Sequence, residues 1–134
     1  EQDELQRART LFEEALAIQE SAWEGDHPNL ATTLNNLGYL DQIDEDLDAA
    51  RARHEAALSM RLRVFGEDHP HTASSYNNLG LVYFERGEFS EAAGQFRRAA
   101  DIARARLAAD HPLVLQFEDN WQAAQDEADS AAGG

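Results

Sequence analysis

Leu30, Leu34, Leu37, Gly38 and Asp41 stand three or four residues apart, and Thr72, Tyr76, Leu79, Gly80 and Tyr83 repeat that spacing. The interval gathers side chains on one face of an α-helix. After a break at Arg86, Gly87 and Glu88 a second stripe begins, running through Phe89, Ala92, Phe96, Ala99, Ala100, Ile102 and Leu107. The second stripe also precedes the first one, where Leu5, Ala8, Phe12, Ala15, Leu16, Ile18 and Trp23 match Leu47, Ala50, His54, Ala57, Leu58, Met60 and Phe65. The pattern predicts an all-α chain of about six antiparallel helices, roughly 2–24, 28–43, 46–65, 70–85, 88–108 and 112–130, paired by tight turns.

Offsets between the stripes are constant. DHP occurs at 26–28, 68–70 and 110–112, a spacing of 42 residues held twice without drift. Residues 26–67 and 68–109 are therefore two copies of one unit, and a fixed period of this length marks a repeat array. Residues 1–25 read as a half repeat, its second helix only. Residues 110–130 read as another half repeat or a capping helix, with 131–134 as a flexible tail on a single domain, 1–130.

Each DHP reads as a helix start. An Asp oxygen can accept from free backbone N–H groups of the first turn, and Pro has no N–H to leave unsatisfied there. Gly38 and Gly80 fall inside helices, where glycine costs about 1 kcal/mol against alanine. That cost implies a close helix crossing, with Ala50/Ala92 and Ala57/Ala99 as the small surfaces opposite. Asp41 and His54 interrupt the apolar stripes of the first copy, where they either face each other as a buried polar pair or both lie exposed at its rim, and this copy is expected to be the softer one.

Tyr76, Leu79, Gly80, Tyr83, Ala92, Phe96 and Ala99 resemble, position by position, the pattern of the tetratricopeptide repeat. The 42-residue period with DHP followed by NNL is similar to the kinesin-light-chain-like subtype, which is also found in bacterial repeat proteins. The resemblance implies an αα-superhelix, a TPR solenoid, whose first helices line a concave groove that holds an extended peptide or a partner helix. On the first helices the positions beside the buried stripe are Thr32, Asn35, Asn36 and Tyr39, then Ser74, Asn77, Asn78 and Leu81, then Gln116, Asp119, Asn120 and Ala123. Asn36, Asn78 and Asn120 recur at the repeat spacing. An amide donates and accepts at once, so such a ladder can grip a peptide backbone, or alternatively fix the stacking of hairpins. None of these positions is basic, which argues against a clamp for a C-terminal carboxylate. The arginines Arg51, Arg53, Arg61, Arg63, Arg97, Arg98, Arg104 and Arg106 fall on second helices, interleaved with acids as a solvated outer face.

Charge narrows the partner. Twenty-six acidic residues face eleven basic ones, all arginine, for a formal net charge of −15. Such a field repels phosphate backbones and anionic lipid heads, so a neutral or basic protein or peptide is expected, with no nucleic acid and no membrane. Arginine in place of lysine fits a GC-rich bacterial genome. With no cysteine, disulfides and thiolate metal sites are excluded. No stretch reaches the roughly 18 apolar residues of a membrane span, and EQDELQRART is no signal peptide, which suggests a cytoplasmic protein. The first residue, Glu1, suggests a piece of something longer.

The histidines of successive DHP steps lie in separate layers of a stacked array and cannot share an ion. No GxSxG, phosphate-cradling glycine loop or HExxH occurs, so no enzyme, metal or cofactor is expected. A second functional class remains, self-association through the incomplete ends, with Leu5, Leu11, Phe12 and Trp23 supplying apolar surface for a homodimer.

Overall fold

A computed structural model describes residues 1–22 and 25–133. Among them are six helices and no strand: α1 (Gln2–Ala22), α2 (Pro28–Ile43), α3 (Leu47–Phe65), α4 (Pro70–Glu85), α5 (Phe89–Arg106) and α6 (Pro112–Gly133). The expected boundaries agree within two residues except at the end of α6, which continues through Ala131 and Ala132 beyond the expected stop at 130. Trp23, named as an association residue, lies outside the described residues.

The chain divides into two compact units, Glu1–Val64 and Phe65–Gly134. The first holds α1, α2 and α3 short of its last residue; the second holds α4, α5 and α6. From α2 to α5 the centres of both stripes are buried as their spacing requires, whereas the α1 stripe buries no residue and its Ile18 is 66% exposed. Leu30, Leu37 and Asp41 on α2, and Thr72, Tyr76 and Leu79 on α4, are at most 5% exposed. On the second helices Ala50 and Ala57, Ala92 and Ala99 are fully enclosed. In the second unit Ala92, Ala93, Phe96 and Ala124 form a cluster on which Leu81, Tyr83, Phe84 and Trp121 pack.

Helix starts are set by histidine, which corrects the aspartate assignment. His27 and His69 sit in extended backbone at the N-cap, immediately before Pro28 and Pro70. Their Nδ1 atoms accept from the backbone N–H of Asn29 at 3.1 Å and of His71 at 3.0 Å, and His111 accepts from Leu113 in the same way at 3.1 Å. Proline fixes the frame: with Pro at the first helical position, the residue before it is the cap, and Asp26 or Asp68 lies one residue outside. Imidazole Nδ1 is one bond beyond Cγ, as the side-chain oxygen of Asp or Asn is, so it fills the same role. Asp26 is thereby released to pair with Arg63 of α3, whose Nη2 donates to Oδ1 at 2.8 Å.

The glycine crossings exist, and an aromatic ring lies opposite rather than the alanines alone. A Cβ built on Gly80 would stand 2.6 Å from the Phe96 ring, and one on Gly38 would stand 2.8 Å from the His54 ring. The turns obey the repeat too. Gly87 has φ of +78°, and Glu45, aligned with it, adopts +60° without being glycine.

Asp41 and His54 are both buried, at 3% and 2% exposure, yet they do not pair with each other. Asp41 Oδ1 accepts from Arg9 Nη1 at 2.8 Å, and its other oxygen lies 3.1 Å from Arg53 Nε. Arg9 also reaches Asp44 at 2.8 Å, so one carboxylate holds α1 and α3 to α2. His54 instead lies between two amides, Nδ1 at 3.1 Å from Asn35 and Nε2 at 2.9 Å from Gln42. Burial pushes the ring pKa down to about 4, with Arg61 as a second, electrostatic cause. Both contacts are to amide oxygens, and a neutral ring carries one N–H to donate between them.

Candidate functional site

Each first helix keeps one face toward its hairpin and turns another outward. On α2 the outward face runs through Thr32, Asn36, Tyr39 and Ile43. Tyr39 is 62% exposed and Ile43 42%, while Asn36, one turn before Tyr39, is half-buried. Two large apolar side chains thus remain in water beside a polar amide. Asn35 belongs to the interior, because its side-chain oxygen faces His54.

Thr32 Oγ1 donates to Pro28 O at 3.2 Å and receives Arg61 Nη2 at 3.5 Å. Arg61 is only 7% exposed, and desolvation lowers its hold on the proton. This corrects the reading that the arginines of the second helices all face solvent: Arg61 and Arg53 are drawn inward, while Arg51 and Arg97 make surface pairs with Glu55 and Asp101 one turn on. It also puts a cation under Thr32, although none of the outward positions is itself basic. Sequence reasoning missed Arg61 because a charged residue on a second helix resembles its solvated neighbours. The signal lay in its alignment with Gln19, which likewise reaches the first helix, through Thr33 at 2.9 Å.

In the second unit Ser74 and Asn78 are half-buried on α4, and Asn77 is 4% exposed. Asn120 of α6 donates its amide to Asn77 Oδ1 at 2.9 Å. That hydrogen bond ties α6 to α4, so the Asn120 nitrogen serves the packing of these two helices. Leu81 packs on the cluster around Phe96 and contributes to the core. Gln116 and Ala123 are exposed on α6. Of the named positions, Thr32 and Tyr39 are exposed, Asn36, Ser74 and Asn78 are half-buried, and Asn35, Asn77 and Leu81 are engaged with His54, Asn120 and the core cluster.

The profile of the tetratricopeptide repeat family matches residues 1–62 and 33–105. The chain belongs to that family. Among solved structures it is similar to a Podosopora anserina protein assigned as a kinesin light chain, with nearly identical TPR-like repeats, at 21% identity and a TM-score of 0.86 over 95% of this chain. It is also similar to BtubC (BKLC) from P. vanneervenii, at 27% identity and a TM-score of 0.83 over 94% of this chain. The chain spans 60% of the former's length and 50% of the latter's. No curated protein matches by sequence. The architecture is thus the all-α tetratricopeptide solenoid of kinesin-light-chain-like repeats, a protein-interaction fold. Among the described residues no helix is long and apolar enough to cross a membrane.

Proposed function

We propose that the chain is a cytoplasmic, non-enzymatic scaffold that holds an extended peptide or a partner helix, neutral to basic in charge, on the outward faces of its first helices. The observation that carries this reading is the pair Tyr39 and Ile43, large apolar side chains left in water beside Asn36 on α2. Buried tyrosines are frequent energetic anchors of interfaces, and an adjacent amide can pair with a peptide group while the ring covers its neighbour. The net charge of −15 supports the basic bias by drawing a cationic partner and repelling an anionic one.

A displayed peptide library panned on the whole chain tests this. The strongest binder is synthesised and titrated by fluorescence anisotropy against wild type, Tyr39→Ala and Asn36→Ala, with helicity checked by circular dichroism. Affinity is expected to fall about ten-fold in Tyr39→Ala, the ordinary size of a hot-spot loss. Equal affinity in both variants, or a library that yields no binder, removes the α2 face from recognition.

A further inference from the structure

The buried histidine of the first unit lies behind the outward face of α2. Its ring is clamped over Gly38, where an added Cβ would stand 2.8 Å from it. Nδ1 lies 3.1 Å from Asn35 Oδ1, and Nε2 lies 2.9 Å from Gln42 Oε1. Those two amides immediately precede Asn36 and Ile43 in the chain, so one ring from α3 fastens α2 on either side of Tyr39. His54 is only 2% exposed, and its ring meets water when α2 moves off α3.

A proton on this ring has opposing effects. An imidazolium gains a second N–H for the two amide oxygens, which favours the charged form. Against that stand the lost hydration of a closed site and the positive charge of Arg61, farther along α3. These two effects win, and the pKa of the enclosed ring is pushed down to about 4. Asp41, the buried carboxylate of α2, is already shared between Arg9 of α1 and Arg53 of α3. Protonation therefore favours chains in which α2 has parted from α3 and the ring is hydrated. In the second unit Phe96 takes the same place over Gly80 and has no proton to accept, which makes α4 an internal reference.

We propose that mild acid opens α2 and withdraws its outward face, so that a bound peptide is released as pH falls from about 7 to about 5. Release rests on the α2 face being the recognition surface; the opening does not. In that range an imidazole in water takes up its proton while the enclosed one refuses it, so the opening equilibrium of α2 is about thirty-fold larger at pH 5 than at pH 7.5.

Amide hydrogen exchange on the peptide-free whole chain tests the opening. Protection factors, corrected for the direct effect of pH on exchange, should fall about thirty-fold more in α2 than in α4 between pH 7.5 and pH 5. His54→Phe should abolish that excess. The comparison of α2 with α4 inside the wild-type chain needs no variant. Parallel losses in the two helices, or an excess that survives in the phenylalanine variant, overturn the proposal. Release is read by titrating the peptide selected at pH 7.5 against both proteins at the two pH values. Wild-type affinity should fall at least about three-fold more than that of His54→Phe, because binding is reduced by the fraction of chains whose α2 is closed. Equal falls in the two proteins overturn the release. A chain that selects no peptide at pH 7.5 refutes the α2 face as the recognition surface and the release with it, while the exchange measurement still decides the opening.

Discussion

His54 shows how far one substitution reaches at the scale of a residue. Where the second copy puts Phe96 over Gly80, the first puts an imidazole over Gly38, and the ring recruits Asn35 and Gln42 to satisfy its nitrogens. Burial holds the folded ring near pH 4, against about 6.5 in an unfolded chain. Above about pH 6.5 both states are neutral and the full contribution to stability is present. As pH falls from 6.5 toward 4, unfolded chains bind a proton that the folded ring refuses, and stability is lost. At pH 5 the loss from this one group is about 2 kcal/mol. Urea unfolding at pH 7.5 and 5 should therefore show a steeper decline for wild type than for His54→Phe, which places the residue of the second copy over Gly38. Parallel declines in the two proteins would mean that His54 does not govern the acid response. Burial of this position was legible in the stripe; its partners were not. A helical period fixes which way a side chain points, but the choice among Asp41, Asn35 and Gln42 depends on side-chain reach and hydrogen-bond capacity, which spacing does not encode.

At the scale of elements, the six helices were legible because hydrophobic period, proline position and turn residues all recur at one offset. The caps were misplaced by one residue because Asp and His both offer an acceptor at the same distance from the backbone; only the rule that Pro occupies the first helical position separates them. The turn between α2 and α3 puts Glu45 where its counterpart has Gly87, and the backbone there takes the same left-handed conformation, with φ of +60° at Glu45. A non-glycine side chain in that region costs roughly 1–2 kcal/mol. Glu45→Gly should raise unfolding stability by about 1 kcal/mol, since glycine removes the clash but gives back some chain entropy. Ala52→Gly, at an exposed position inside α3, should lower stability by about the same amount. A denaturation midpoint that falls in both variants would show that the turn is relaxed by its neighbours.

Over the whole molecule, stability should be graded, because a repeat array sums local terms and can open piecewise. Helix α1 buries no residue completely and is held in part by the ion pair of Arg9 with Asp41 and the hydrogen bond of Gln19 to Thr33. The interior of the first unit includes Asp41, His54 and Arg61, and two of its buried polar atoms, Asp41 Oδ2 and Arg53 Nη1, lack a hydrogen bond. Buried charge is weakly stabilising even when paired, because desolvation offsets the attraction. The second unit puts Phe96, Tyr76 and Val82 in its interior, and its buried polar side chains, Thr72, Ser75 and Asn77, are uncharged. The order of opening follows from that contrast. Amide hydrogen exchange on the intact chain should find α1 least protected, α2 and the adjoining part of α3 intermediate, and α4 and α5 the slowest to exchange. Arg9→Ala should speed exchange in α1 and α2 while leaving α5 unchanged, since the two ion pairs it removes, to Asp41 and Asp44, lie wholly within the first unit. Uniform protection across all six helices, or acceleration of α5 in the Arg9 variant, would show instead that the chain unfolds as one cooperative body whose polar interior carries no local penalty.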